Sequence, residues 1–236
     1  MEDSIGKVVI PGDILQNLDE KKGKIKVTVG PGLIRDGSHI AVTKSGILRH
    51  REPSVFWVDC HQKRYVPARG DNVIGIVTAK QGDVFKVDIG SSEPASLSFM
   101  AFEAATKRNR PNLNVGDCVN AKLLVANKDC EPELVCIDSY GRSSGLGILP
   151  NEGFLLQCSI GLVRQLLRNK FNVLTFLGKA IQYEVAIGMN GRIWLHCHTV
   201  RETIAISNAI CRSELMSDEE VQIMSKKVVD SLQGFE

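Results

Sequence analysis

The sequence has no pair of cysteines at Cys-x-x-Cys spacing, although seven cysteines occur among its 236 residues. An odd number without paired spacing indicates neither a disulfide framework nor a zinc site, so we expect reduced thiols in an intracellular protein. No apolar run approaches the ~20 residues that a helix needs to cross a bilayer, and Met1 to Ser4 lack the basic and apolar regions of a signal peptide. The sequence therefore predicts a soluble protein that is not secreted and has no membrane partner.

Strong charge of one sign is also missing, since 29 basic and 27 acidic residues leave a net charge of +2. Affinity for nucleic acid that does not depend on base sequence comes largely from Lys and Arg meeting phosphates. A chain this close to neutral is expected to bind nucleic acid weakly by itself. Strong binding is expected to require partner proteins.

Catalytic motifs are absent as well, including the phosphate-binding loop Gly-x-x-x-x-Gly-Lys. Asp71, Asp83 and Asp117 could in principle hold Mg²⁺ for nuclease chemistry, but each lies beside a glycine in a predicted turn, which explains it without a metal. His196 and His198 have the spacing of one strand face, yet no further zinc ligands accompany them. We predict a protein that is not an enzyme, with no catalytic residue, no metal and no cofactor.

Residues 1–64 are predicted to form a small β-rich domain. Polar and apolar residues alternate with period two in Lys24 to Val29 and in parts of His39 to Thr43 and Val55 to Cys60. Gly30-Pro31-Gly32 supplies a turn between them. These alternating runs are typical of short strands.

An apolar arm closed by a turn precedes these strands. It consists of Val8, Val9, Ile10, Pro11, Gly12 and Asp13. A terminal arm with three β-branched residues forms either an ordinary first strand or a strand that adds to the sheet of a neighbouring protein. Both interpretations stay open, and the second makes the arm a candidate partner-docking segment.

Residues 65–145 are predicted to form a five-stranded β-barrel of the OB type. Strand-like runs separated by turn residues follow one another at Asn72–Thr78, Val84–Ile89, Ala95–Phe99, Val119–Val125 and Glu133–Asp138. Such a barrel binds single-stranded nucleic acid through a strand face and edge loops, with aromatic rings for bases and cations for phosphates. Phe85, Phe99 and Phe102 are the available rings, and two of them are expected to pack in the core.

Three cations lie close together in a predicted loop of this barrel. They are Lys107, Arg108 and Arg110, within Lys-Arg-Asn-Arg-Pro. Cations on an exposed loop can meet phosphates, and a solvated turn is the alternative interpretation. The loop is the candidate nucleic-acid-binding site.

Residues 146–236 change to short helices and paired strands, in the order β-α-α-β-β-α of a type I KH domain. The predicted elements are a strand at Gly153–Cys158, a helix around Leu162–Leu167, a helix at Val173–Ile181, strands at Gln182–Ile187 and Arg192–His196, a helix opening at the capping box Thr199–Glu202, and a last helix at Ser217–Leu232. The predicted fold class is therefore mostly β, with an α+β C-terminal part.

Gly188, Asn190 and Gly191 belong to a Gly-Met-Asn-Gly run that matches the glycine signature of KH domains. The KH loop that clamps a nucleotide backbone lies between the two adjacent helices, which is here Asn169–Asn172 and contains no glycine. The motif falls instead in a predicted hairpin turn, so we predict a structural role for it. Trp194 either stacks on nucleic acid or packs between domains, and packing is favoured. Two modules of RNA-binding type in tandem favour RNA as the ligand.

Taken in order, these motifs resemble the non-catalytic cap subunits of the eukaryotic RNA exosome, of the exosome component three type. The runs that carry the resemblance are Val8–Asp13, Gly30–Leu33, Gln62–Pro67, Gly70–Asp71, Val73–Ala79, Gly82–Asp88, Ser92–Leu97, Ala105–Pro111, Val125–Asp129 and Gly188–Trp194. Each run alone is weak, but their order and spacing over nearly the full length are specific.

The resemblance implies an N-terminal domain, an S1-type OB domain and a KH domain placed on a ring of six RNase PH-like subunits, beside other cap subunits. Such a subunit stabilises the ring, helps to line the opening of its pore, and guides RNA toward a separate 3′-to-5′ nuclease. The resemblance also implies that the glycine motif is buried against the S1-type domain and that Lys107, Arg108 and Arg110 face the pore. It implies nuclear, nucleolar and cytoplasmic pools. A free-standing RNA-binding regulator is the alternative function.

Overall fold

The computed structural model describes residues 4–17, 27–37, 39–62, 64–127, 129–167 and 173–233. The chain divides into two compact units, residues 1–62 and 63–236. No helix within the described ranges is long and apolar enough to cross a membrane.

The first unit contains two small sheets. Its strands are β1 (Val8–Val9), β2 (Ile14–Asn17), β3 (Thr28–Val29), β4 (Leu33–Asp36), β5 (His39–Val42), β6 (Gly46–Arg51) and β7 (Val55–Asp59). One sheet has the order β1-β6-β7-β3 and the other β2-β5-β4. The predicted period-two alternation is confirmed in β5 and β7, where Ile40, Val42 and Val58 point into the core. The predicted run Lys24 to Val29 lies partly outside the described residues.

The second unit opens with a closed five-stranded barrel. Its strands are β8 (Asn72–Gln81), β9 (Val84–Asp88), β10 (Ala95–Ser98), β11 (Cys118–Val125) and β12 (Glu133–Val135). Neighbours pair in the order β12-β10-β9-β8-β11, and pairing of β11 with β12 closes the barrel. The β10–β12 pair is parallel, while the other four pairs are antiparallel. This arrangement confirms the predicted OB-type barrel.

The barrel interior is filled by the alternate apolar residues of its strands. Val73, Val87 and Leu97 are fully enclosed. Two of the three phenylalanine rings, Phe85 and Phe99, are buried as expected, and Phe102 packs half-buried against the same cluster. The rings of the barrel are therefore used mainly for its core.

The rest of the second unit is a layer of helices on a three-stranded sheet. A short strand β13 (Gly147–Ile148) pairs with β11, and then come β14 (Phe154–Gln157), α1 (Ile160–Leu167), α2 (Val173–Leu177), β15 (Tyr183–Ile187), β16 (Arg192–Cys197), α3 (Val200–Arg212) and α4 (Asp218–Gln233). The sheet is antiparallel with the order β14-β16-β15. The element order confirms the type I KH prediction and, with the barrel, the fold class.

Two predictions about element ends in the KH layer are wrong. The second helix ends at Leu177 instead of Ile181, because Gly178 favours helix termination and the following residues form turns. His198 does not share a strand face with His196, since β16 ends at Cys197 and Thr199 already caps α3. That capping box is confirmed, because the Thr199 side chain accepts from Glu202 N–H at 3.2 Å and the Glu202 carboxylate accepts from Thr199 N–H at 3.1 Å.

The last helix, α4, packs against α2 and α3. Val221 is buried there, and Met224, Val228 and Leu232 pack half-buried against the same helical core, as their shared helix face predicts. The helix therefore thickens the helical side of the KH layer.

Candidate nucleic-acid interface

Lys107 and Arg108 occupy the tip of a closed turn on the barrel. Thr106 N–H donates to the Asn109 carbonyl at 3.0 Å, and Asn109 N–H donates to the Thr106 hydroxyl at 3.0 Å. Both cations lie exposed between these two residues. In the part of the chain that the structure describes, neither of them forms an ion pair. The turn therefore presents two exposed cations to solvent.

Arg110 differs from the other two cations, because it is held against the barrel. Its Nη1 lies 3.0 Å from the Asp83 carboxylate, and its guanidinium lies 4.8 Å from the centre of the Phe99 ring. A planar guanidinium suits both contacts at once. The structure thus divides the predicted trio into two cations at the tip and one at the base of the loop.

The Gly-Met-Asn-Gly motif joins the KH sheet to the barrel. It forms the hairpin turn between β15 and β16, and Asn190 is only 7% exposed. The Asn190 amide group donates to the Ile74 carbonyl at 2.8 Å and to the Ile89 carbonyl at 2.9 Å, while its oxygen accepts from Ile74 N–H at 3.2 Å. A carboxamide has both the donors and the acceptor that this position requires.

At both glycines of the motif, neighbouring atoms lie so close to the backbone that a side chain would not fit. A Cβ on Gly188 would lie 2.7 Å from the Ile74 nitrogen. Gly191 has a φ of +82°, and a Cβ there would lie 2.5 Å from the Cys158 carbonyl oxygen. The missing side chain of Gly188 therefore lets the turn reach the barrel, and that of Gly191 lets it lie against the Cys158 backbone within the KH layer.

An ion pair beside the motif was missed from the sequence. Arg192 donates to the Asp88 carbonyl and to the Asp88 carboxylate, each at 2.5 Å. Burial raises the pKa of Asp88, but the Arg192 hydrogen bond, the Gly90 N–H and the Arg192 charge outweigh it and hold the pKa below its usual value. Nothing in the sequence marks the two residues as partners, because they lie 104 positions apart in the chain.

Trp194 packs in the same contact and is 3% exposed. Its indole N–H donates to the Pro150 carbonyl at 3.2 Å, and its ring clusters with Ile74 and Leu149. The ring also lies so close to Gly153 that a Cβ at that glycine would overlap it. Gly153 was not singled out in the sequence, because nothing local marks it as facing an indole.

The acidic residues considered for metal binding have local partners. The Asp71 carboxylate accepts from the Tyr65 hydroxyl at 2.9 Å, and Asp117 accepts from Asn114 N–H at 2.8 Å within its turn. Among the described residues, no group of three or more His, Cys, Asp or Glu side chains could hold a metal ion. The KH helix junction Asn169–Asn172, where a nucleotide clamp would stand, lies outside the described residues.

The N-terminal arm forms the outer strand of its sheet. β1 pairs with β6, and the side chain of Val9 in β1 is buried. Val8 is 75% and Ile10 59% exposed, and the Asp13 carboxylate accepts from Ile10 N–H at 2.9 Å to close the turn. The arm is thus an ordered first strand that keeps apolar side chains in solvent.

An OB-type barrel joined to a type I KH layer defines a protein built from two modules of nucleic-acid-binding type. Family models match residues 65–147 (exosome complex component RRP40, S1 domain), residues 7–61 (mammalian exosome complex component RRP40, N-terminal) and residues 153–201 (KH domain). The chain belongs to the RRP40 family of exosome complex components. This confirms the resemblance seen in the sequence.

Individual relatives cover nearly the whole chain. Exosome complex component RRP40 of Homo sapiens is 46% identical over 248 residues, covering 94% of this chain and 90% of the human one. The protein of the same name from Drosophila melanogaster is 46% identical over 227 residues, covering 96% and 97%. A crystal structure described as an exosome complex RNA-binding protein matches with a TM-score of 0.59 at 26% identity, covering 73% of this chain and 99% of that one.

Proposed function

We propose that this chain is a non-catalytic, RNA-binding cap subunit of the RNA exosome. In this role it stabilises a ring of RNase PH-like subunits, beside other cap subunits, and guides RNA into the central pore for 3′-to-5′ processing and degradation by a separate nuclease. Membership of the RRP40 family over all but the chain ends supports the assembly role. The RNA-binding description of the similar crystal structure supports the ligand.

The observation that carries the proposal is the closed turn at residues 106–109. It presents Lys107 and Arg108 to solvent without ion-pair partners among the described residues, on a barrel type that binds single strands. Because the turn is already ordered, little loop entropy is lost when phosphates bind. Arg110 belongs to the same proposed RNA-binding loop and joins it to the barrel through its contacts with Asp83 and Phe99.

The glycine motif and Trp194 are proposed to have a structural role inside the protein and not to contact RNA. Gly188, Asn190, Gly191 and Trp194 fix the KH sheet to the barrel through main-chain contacts and a buried ring. A KH layer joined in this way positions the barrel, and with it the loop at Lys107, relative to the rest of the cap. We propose three domains, at residues 1–64, 65–145 and 146–236.

The arm is proposed to dock a partner subunit of the exosome. Val8, Val9, Ile10, Pro11, Gly12 and Asp13 form an edge strand and its turn. The exposed side chains of Val8 and Ile10 offer apolar contact, and the outer edge of β1 can accept a further strand. By the same family comparison we propose nuclear, nucleolar and cytoplasmic pools.

The test replaces both tip cations, Lys107→Glu with Arg108→Glu, in a reconstituted exosome. Lys226→Glu with Lys227→Glu is the matched control, since it makes the same charge change at an adjacent exposed pair on α4. Shorter RNA footprints and slower decay in the first complex only are expected. Equal footprints and decay in both assembled complexes would contradict an RNA path over this loop.

A further inference from the structure

Tyr140 is 86% exposed, unlike the other two tyrosines of the chain. Tyr65 is buried and donates its hydroxyl to Asp71, and Tyr183 is half-buried and donates its hydroxyl to the Leu174 carbonyl at 2.6 Å. Within the described residues, Tyr140 has neither a ring contact nor a partner for its hydroxyl. Its ring is therefore largely open to solvent.

The backbone beneath this ring is ordered by Asp138. One carboxylate oxygen accepts from the N–H groups of Tyr140 and Arg142, at 2.8 and 3.0 Å, and the other accepts from the Ser144 hydroxyl at 3.1 Å. The N–H groups of Arg142 and Tyr140 hold the pKa of Asp138 below its usual value. The Asp138 carboxylate is therefore ionised at neutral pH, and its three hydrogen bonds order the backbone that carries Tyr140.

The barrel topology brings this turn to the same end as the cation loop. β10 and β12 run parallel, so the segments that follow them leave the barrel together. Just beyond the strands, Cys136 N–H donates to the Ala101 carbonyl at 2.9 Å. Further out, Ser143 N–H donates to the Glu103 carboxylate at 3.0 Å, which ties the Tyr140 turn to the segment that leads into Lys107.

We propose that Tyr140 is a base-stacking platform for single-stranded RNA, next to the phosphate contacts of Lys107 and Arg108. This inference rests on the proposed function. Single strands are bound by aromatic rings that stack on bases and by cations that follow the backbone, and one OB fold covers about 4–16 nucleotides. A single bound strand can therefore reach both turns. Arg142, two residues along the chain, adds an exposed cation to the same turn.

The test compares Tyr140→Ala, Tyr140→Phe and Lys107→Gln in the reconstituted exosome, with a chelator present so that no metal-dependent nuclease degrades the probe. The probes are an oligouridine RNA and an abasic ribose-phosphate chain of the same length. Tyr140→Ala is expected to weaken oligouridine binding roughly five- to tenfold, the lower part of the range for stacking rings. It should leave abasic binding and the salt dependence unchanged, and Tyr140→Phe should keep wild-type affinity because it keeps the ring.

Equal losses on both probes, or no loss on oligouridine, would overturn the stacking role. Loss of the Tyr140→Ala chain from the assembled complex would also overturn it, because the ring would then serve a protein contact. Lys107→Gln provides the separate check on the proposed function, since it should weaken both probes and lower the salt dependence. If Lys107→Gln changes neither the binding of the two probes nor the salt dependence, the proposed phosphate contact of Lys107 is wrong, whatever the Tyr140 variants show.

Discussion

The side-chain amide of Asn190 pairs with both main-chain polar groups of Ile74, donating to its carbonyl at 2.8 Å and accepting from its N–H at 3.2 Å. The Asn190 side chain therefore bonds the backbone of β8 as a residue of a neighbouring strand would. The contact explains why the Gly188–Gly191 turn lies against the barrel.

Replacing Asn190 by aspartate tests this pairing with almost no change of side-chain volume. A carboxylate cannot donate, so the Ile89 carbonyl would lose this buried hydrogen bond, and the Ile74 carbonyl would keep only the longer one from Arg192 Nη1, at 3.4 Å. Each such loss costs about 1–3 kcal/mol, and we expect Asn190→Asp to lower the free energy of unfolding by about 3 kcal/mol in urea titrations. Asn151→Asp, at an exposed position, should change it by less than about 0.5 kcal/mol. Similar values for both variants would show that the carboxamide bonds carry no stability.

The barrel could be predicted from the sequence because its signals are local. Period-two alternation and turn glycines mark each strand, and the structure confirms all five. The predicted end of the first barrel strand at Thr78 was short, because β8 continues to Gln81 through an irregularity in its pairing with β9 after Val77. Polar residues after a bulge break the alternation on which the prediction depends.

Gly153→Ala tests the packing of Trp194. The added methyl group would overlap the indole ring, which is enclosed and cannot move away freely. Overpacking of this kind typically costs about 1–3 kcal/mol of unfolding free energy. Gly161→Ala is the matched control, because its Cβ meets only the Ser159 hydroxyl oxygen at 3.7 Å within α1, where alanine stabilises a helix by up to about 1 kcal/mol. Thermal unfolding should therefore shift in opposite directions, and a shared direction would contradict the close indole contact.

The Asp88–Arg192 pair predicts a dependence of stability on pH. The pKa of Asp88 is lowered in the folded protein, so its contribution is present above the ordinary carboxyl pKa of about 4 and is lost as the pH falls through the lowered folded value. Because the Asp88 side chain is 44% exposed, screening limits the contribution of its charge to about 1 kcal/mol. The difference in unfolding free energy between wild type and Asp88→Asn should be constant from pH 6 to about 5 and shrink below pH 4. A difference that grows as the pH falls would have the wrong sign for this pair.

The candidate site was less accessible to sequence reasoning than the fold. Lys107, Arg108 and Arg110 stand almost together in the sequence and look alike. Their roles separate only because the pairing of β9 with β10 brings Asp83 beside Phe99, where Arg110 contacts both. Tyr140 was missed for the same reason, since its proximity to the cation loop depends on the parallel pairing of β10 and β12. Contacts between distant segments leave no periodic signal in the chain.

Arg110→Gln tests whether Arg110 anchors the loop or contacts phosphate itself. Loss of the contacts to Asp83 and Phe99 should loosen the turn, so the Asn109 N–H, which donates to the Thr106 hydroxyl, should exchange faster with deuterium in the full chain. RNA affinity of the reconstituted exosome should fall roughly two- to tenfold because the loop must be ordered on binding. The slope of log affinity against log salt should stay the same, since both tip cations still meet phosphates.

Lys107→Gln should give the opposite pattern, with unchanged Asn109 exchange and a salt slope smaller by about 0.7, the value for one phosphate contact on a single strand. Arg110→Lys separates charge from geometry, because lysine keeps the charge but lacks the planar group that lies over Phe99 while pairing with Asp83. An anchor predicts faster Asn109 exchange in Arg110→Lys as well. If Arg110→Gln instead lowers the salt slope as much as Lys107→Gln does, with slow exchange retained, then Arg110 leaves Asp83 when RNA binds and is itself a phosphate contact.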